Sequence, residues 1–129
     1  DHEIINIGGR SLEVIFIPGH TPGSIALLDI ERRVLFSGDT IQAGNIFLFG
    51  PMRNIKTYLQ SLERLNTLKD RFDFIYPSHA NPVLEPNIIE KLIEGTKAVI
   101  DNKLSYSDAS LFGQKIKVYD IGCAKLLLN

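Results

Sequence analysis

Pro18-Gly19-His20-Thr21-Pro22-Gly23-Ser24 separates two apolar runs, residues 12–17 and 25–30. Both runs read as strands. Pro18 has no amide proton to give to a sheet ladder, so it closes the first. Gly19 and Gly23 reach backbone angles that other residues avoid. Pro22 fixes its own φ and pushes Thr21 towards an extended shape. The segment predicts a stiff turn that presents the His20 imidazole at the C-terminal end of a strand. Rigid loops on a sheet scaffold are where binding and catalytic groups concentrate.

Two further polar clusters hang from strand ends. Residues 3–7 and 11–17 read as a hairpin with Gly8-Gly9 at its turn. Residues 24–30 are a third strand. A fourth, residues 33–37, runs directly into Gly38-Asp39-Thr40. Residues 41–53 mix two glycines and Pro51 with Ile46, Phe47, Leu48 and Phe49, without a clear period, and read as a loop with an apolar lip. Residues 54–69 are a helix capped by Asn54, with Ile55, Leu59, Leu62, Leu65 and Leu68 on one face. Residues 72–76 form a short strand stopped by Pro77, and Ser78-His79-Ala80-Asn81-Pro82 is the third cluster. Residues 86–102 are a second helix, burying Ile89, Leu92, Ile93, Thr96 and Ile100. Residues 103–114 are polar and turn-rich. Residues 115–119 and 124–128 are a closing pair of strands around 120–122.

Composition narrows the function classes. The chain has 129 residues and a formal charge of −1, the size of one domain without the basic footprint of a nucleic-acid binder. No apolar run approaches the roughly 18 residues of a membrane span. A single cysteine, Cys123, leaves no internal disulfide and suits a reducing, cytoplasmic setting. It reads as a small buried hydrophobe. Residue 1 is Asp and the sole methionine is Met52, so we expect a piece of a longer polypeptide.

If the three strands ending at His20, Asp39 and His79 run the same way, their side chains converge at one sheet edge. Imidazole and carboxylate are the ligand types of zinc and similar first-row metals. Thr21, Ser37, Thr40, Ser78 and Asn81 are close enough in sequence to support such ligands by hydrogen bonds. Arg53 and Tyr58 read first as solvated side chains, with contact to substrate as the alternative. Phe47, Leu48 and Phe49 read either as a pocket lining or as a packed loop.

Together, residues 18–24, Ser37-Gly38-Asp39-Thr40, Tyr58-Leu59-Gln60-Ser61-Leu62 and Tyr76-Pro77-Ser78-His79 resemble the C-terminal half of the metallo-β-lactamase superfamily. The resemblance implies an α/β fold, one half of an αββα sandwich, with a mixed sheet carrying helices on one face. It implies that His20 is the third histidine of a first metal position, Asp39 the carboxylate bridging two metals, and His79 the late histidine of the second position. It also implies two divalent ions in the parent protein, zinc foremost with iron or manganese as alternatives. The family's usual chemistry is hydrolysis by metal-bound hydroxide. A small ester, thioester or lactone is the expected substrate.

The family's H-x-H-x-D-H signature, which lies in the N-terminal half, is absent from this sequence. Residues 1–129 are therefore expected to form a single partial domain with weak or no metal binding and no turnover alone. Half a sandwich leaves a sheet face bare, and a homodimer through that face is expected. Two other readings stand beside the hydrolase: a non-catalytic binding module, and a di-iron oxidoreductase on the same scaffold.

Overall fold

In chain order the elements are β1 (Ile4–Asn6), β2 (Ser11–Phe16), β3 (Ile25–Asp29), β4 (Val34–Gly38), β5 (Asn45–Phe47), α1 (Ile55–Thr67), β6 (Phe74–Pro77), α2 (Ile88–Ile100), β7 (Ser107–Leu111), β8 (Gln114–Asp120) and β9 (Lys125–Leu128). The structure is a computed structural model that describes residues 1–79 and 82–129. Alternating apolar residues build a first sheet in the order β1-β2-β3-β4-β6. β1 to β4 pair antiparallel in sequence, and β6 joins β4 in parallel. It follows that β2, β4 and β6 all point the same way, with β3 between β2 and β4. The C-terminal ends that carry His20, Asp39 and His79 therefore share one edge.

The two faces of this sheet differ. Ile15, Ala26, Leu28, Leu35 and Ile75 are at most 1% exposed and form one core with Leu62 and Leu65 of α1 and Ile89 and Leu92 of α2. On the other face, Phe16, Ile25, Phe36, Phe74 and Tyr76 are between 39% and 50% exposed. The register confirms the shared face, since Phe16 sits opposite Ile25, Phe36 opposite Tyr76, and Val34 opposite Phe74. The architecture is thus mixed α/β, with helices on one side of a mixed sheet.

α1 begins as its sequence dictates. Asn54 is extended and its side-chain oxygen accepts the Thr57 amide at 3.0 Å. α2 buries Ile88, Ile89, Leu92, Thr96 and Val99; Ile93 and Ile100, assigned to that face from periodicity, are only half-buried.

A second sheet, β5-β9-β8-β7, corrects two sequence readings. Residues 41–53 are not all loop: β5 lies within them and pairs in parallel with β9, Ile46 opposite Leu126. Residues 103–114 hold β7, which pairs with β8 as a hairpin. One face of this sheet, through Ile46, Tyr119 and Leu126, joins the main core. The other face makes a smaller cluster of Phe49, Ile116 and Leu127, packed by Phe47, Leu111 and Val118.

Candidate metal centre

Gly19 decides how the His20 turn sits. Its φ is +135°, and a Cβ built there would lie 2.4 Å from the Tyr58 Cα. Only glycine lets the turn approach the helix so closely. Two hydrogen bonds fasten it: the Asn54 amide donates to the Gly19 carbonyl at 3.0 Å, and the Ser61 hydroxyl to the Pro18 carbonyl at 2.6 Å. The neighbouring Asp39 loop hangs from the same helix. The Tyr58 hydroxyl donates to the Thr40 carbonyl at 2.9 Å, and the Ser37 hydroxyl to the Ile41 carbonyl at 2.8 Å. Tyr58 is fully buried, which corrects the solvated reading. Burial drives its pKa upward, so it stays a neutral donor.

His20, 9% exposed, takes its orientation from β5. Its Nδ1 lies 2.8 Å from the Phe47 carbonyl, an acceptor, so this nitrogen carries the proton. Nε2 points at Asp39 Oδ2, 3.5 Å away. His79, at the end of β6, places its Nε2 3.3 Å from the other oxygen, Oδ1. One carboxylate thus stands between two imidazoles, an oxygen towards each. The three side chains line a cavity of about 310 Å³ with Gln42, Asn45, Phe47 and Arg53.

The donor chemistry suits a cation. Among the described residues Asp39 Oδ1 is buried and accepts no hydrogen bond, with His79 Nε2 3.3 Å away. A carboxylate oxygen withdrawn from water without a donor is costly, and a bound cation would relieve that cost. The number of donors is another matter. Among the described residues no group of three His, Cys, Asp or Glu side chains is arranged to hold an ion by itself. A closed zinc site has four ligands, and two histidines and one aspartate fall short of that for a single ion and further short for two.

Two of the hydroxyls expected to support the ligands are used within their own loops: Thr21 Oγ1 pairs with Ser24 Oγ at 2.8 Å, and the Ser37 hydroxyl donates to the Ile41 carbonyl. Ser78 contributes through its backbone, its amide donating to the Gly38 carbonyl at 3.0 Å. Asn81 lies outside the described residues. The support that sequence reasoning missed comes from Phe47, Tyr58 and Ser61. Arg53 is half-buried rather than freely solvated: it donates to the Phe49 carbonyl at 3.1 Å and its guanidinium lies 5.6 Å from the Phe49 ring centroid. Cys123 packs against the main core, and burial pushes its thiol up, away from nucleophilic use.

Comparison with known proteins gives the family. The profile of the metallo-beta-lactamase superfamily matches residues 1–79, and the chain belongs to that superfamily. Acyl-coenzyme A thioesterase MBLAC2 of Homo sapiens is 41% identical over 83 residues, 63% of this chain and 30% of that protein. Hydroxyacylglutathione hydrolase GloC of Haemophilus influenzae is 41% identical over 44 residues, 34% of this chain and 21% of its own length. The aligned part is under a third of either relative. Among solved structures, TTHA1623 in a di-iron-bound form is 29% identical, with a TM-score of 0.54 over 65% of this chain and 41% of its own.

Proposed function

We propose that this chain is the C-terminal part of a metal-dependent hydrolase acting on thioesters, with His20, Asp39 and His79 as its contribution to a centre for two divalent cations. The observation that carries this reading is the orphaned Asp39 Oδ1 beside His79, with the second oxygen of the same carboxylate facing His20. The thioester is the shared chemistry of an acyl-coenzyme A and an acylglutathione, the compounds named for the two relatives above. The formal charge of −1 and a cavity holding a single arginine favour a small molecule over nucleic acid.

Zinc is the leading cation for this donor set, with manganese or iron as alternatives. When bound, such an ion polarises an acyl oxygen and activates water at neutral pH. The residues of this chain do the positioning. The Phe47 carbonyl holds the His20 Nδ1 side of the ring, which turns Nε2 towards Asp39 as the ligand atom. Tyr58 and Ser61 hold the two ligand loops at fixed spacing. Gln42, Asn45 and Arg53 offer polar contacts to substrate on the cavity wall.

Three donors shared between two cation positions predict weak metal binding and no turnover by residues 1–129 alone. Elemental analysis of the purified chain tests this: near-stoichiometric, tightly held zinc would refute it. Joining the chain to an upstream segment bearing H-x-H-x-D-H should give metal-dependent cleavage of an acyl thioester but not of a phosphodiester. The di-iron form of TTHA1623 favours one second reading, redox chemistry at the same residues. Iron retained by the joined protein, with oxygen consumption in place of thioester cleavage, would select it.

A further inference from the structure

A second cavity, of about 440 Å³, adjoins the first. Phe47 and Arg53 belong to both walls. The rest of its lining is mainly apolar, chiefly Phe49, Phe112 and Met52, with Thr21 and Gln114 as polar members. The Phe47 and Phe49 ring centroids are 5.4 Å apart, and Phe112 meets Phe47 edge-on at 6.2 Å.

Two of these residues are where folding alone would not put them. Met52 and Phe112 are 76% and 77% exposed, the most exposed large apolar residues described. Both sit at positive φ, +67° and +51°, a region that disfavours non-glycine residues. Phe112-Gly113 is the two-residue turn of the β7–β8 hairpin, closed by Leu111 opposite Gln114. That turn type favours Asn, Asp or Gly at its first position. Phe112 thus gives up turn propensity and solvation together, which calls for a role outside folding. Phe112 lies beyond residues 1–79, the part matched by the superfamily profile.

We propose that the groove of Phe47, Phe49, Met52 and Phe112 is the subsite for the apolar acyl chain of the substrate. The proposal rests on the thioesterase reading and narrows it to acyl groups with an extended hydrocarbon chain. A short or polar acyl group would leave Phe112 and Met52 in water. An extended chain leaving the His20–Asp39–His79 cavity past Phe47 covers them. Phe47 then serves twice: its carbonyl orients His20 and its ring forms the wall along which the chain runs. Small ligand pockets of this size and apolar lining are ordinary for such occupants.

The test uses binding, which needs neither metal nor turnover. S-dodecyl-coenzyme A and S-ethyl-coenzyme A are thioethers and cannot be hydrolysed. Titration calorimetry should show the dodecyl compound binding about tenfold or more tighter, because the added methylenes leave water. Phe112→Asn should erase most of that preference while leaving the melting temperature unchanged or higher, since Asn suits the turn. Equal affinities in the wild type, or a preference that survives both Phe112→Asn and Met52→Asn, would overturn the proposal. So would protection of residues 110–114 that rises with protein concentration and not with ligand, the mark of a second copy in the groove. A chain-length preference without hydrolysis by the joined protein would leave this subsite standing and sink the thioesterase reading.

Discussion

Gly19 has no room for a methyl group, and the cost of giving it one measures how tightly the His20 turn is clamped. Gly19→Ala meets the Tyr58 backbone at 2.4 Å and keeps an unfavourable φ of +135°. The expected loss is about 2–4 kcal/mol in a urea titration. Tyr58→Phe tests the same clamp more gently. It leaves the Thr40 carbonyl without its donor and should cost about 1–3 kcal/mol. A third residue acts through charge. Glu13 is 7% exposed, takes a hydrogen bond from the Arg71 guanidinium and lies 2.7 Å from His2 Nδ1. Arg71 foremost, then His2, hold its carboxyl below the usual 4.5, against burial, which raises it. A depressed folded-state pKa contributes stability above the ordinary carboxylate range that is lost as pH falls through the lowered value. Denaturation midpoints should therefore drop below about pH 4.5 in the wild type, and Glu13→Gln should flatten that limb. An unchanged acid limb would remove Glu13 from the account.

Among the elements, those with strong periodicity or sharp punctuation were legible. The Asn54 cap and the leucine stripe define α1, and Asn54→Ala should lower stability by about 1 kcal/mol in the same titration. Pro18, Gly38-Asp39 and Pro77 mark three strand ends correctly, and with them the edge that gathers His20, Asp39 and His79. Two strands were not legible, for different reasons. β5 is three residues long and pairs in parallel with β9, far along the chain; nothing local signals such a partner. β7 reads Ser-Asp-Ala-Ser-Leu and is exposed along nearly its whole length, so it shows no apolar alternation. Missing β5 hid the Phe47 carbonyl from the site, because a backbone acceptor leaves no mark in residue types. Tyr58 was hidden in another way: an aromatic between helix leucines looks the same whether its hydroxyl is solvated or bonded to a distant loop.

Across the whole molecule, the first sheet is covered by helices on one face and shows Phe16, Ile25, Phe36, Phe74 and Tyr76 on the other. Contiguous apolar surface of this kind drives association in water. The isolated chain should form dimers or larger species in sedimentation at micromolar concentration, and Phe36→Asp with Phe74→Asp should shift it towards monomer. A wild-type monomer would contradict this. No described helix is long and apolar enough to cross a membrane. The same fold that bares this face brings three polar side chains from three strand ends into one cavity, and the functional reading depends on their acting together. Zinc titration followed by the imidazole nitrogen resonances tests that directly. His20 and His79, each facing one oxygen of Asp39, should both shift with added zinc, and Asp39→Asn should weaken both responses, while His2 stays still; an unaltered response of both histidines in Asp39→Asn would contradict a centre built on that carboxylate.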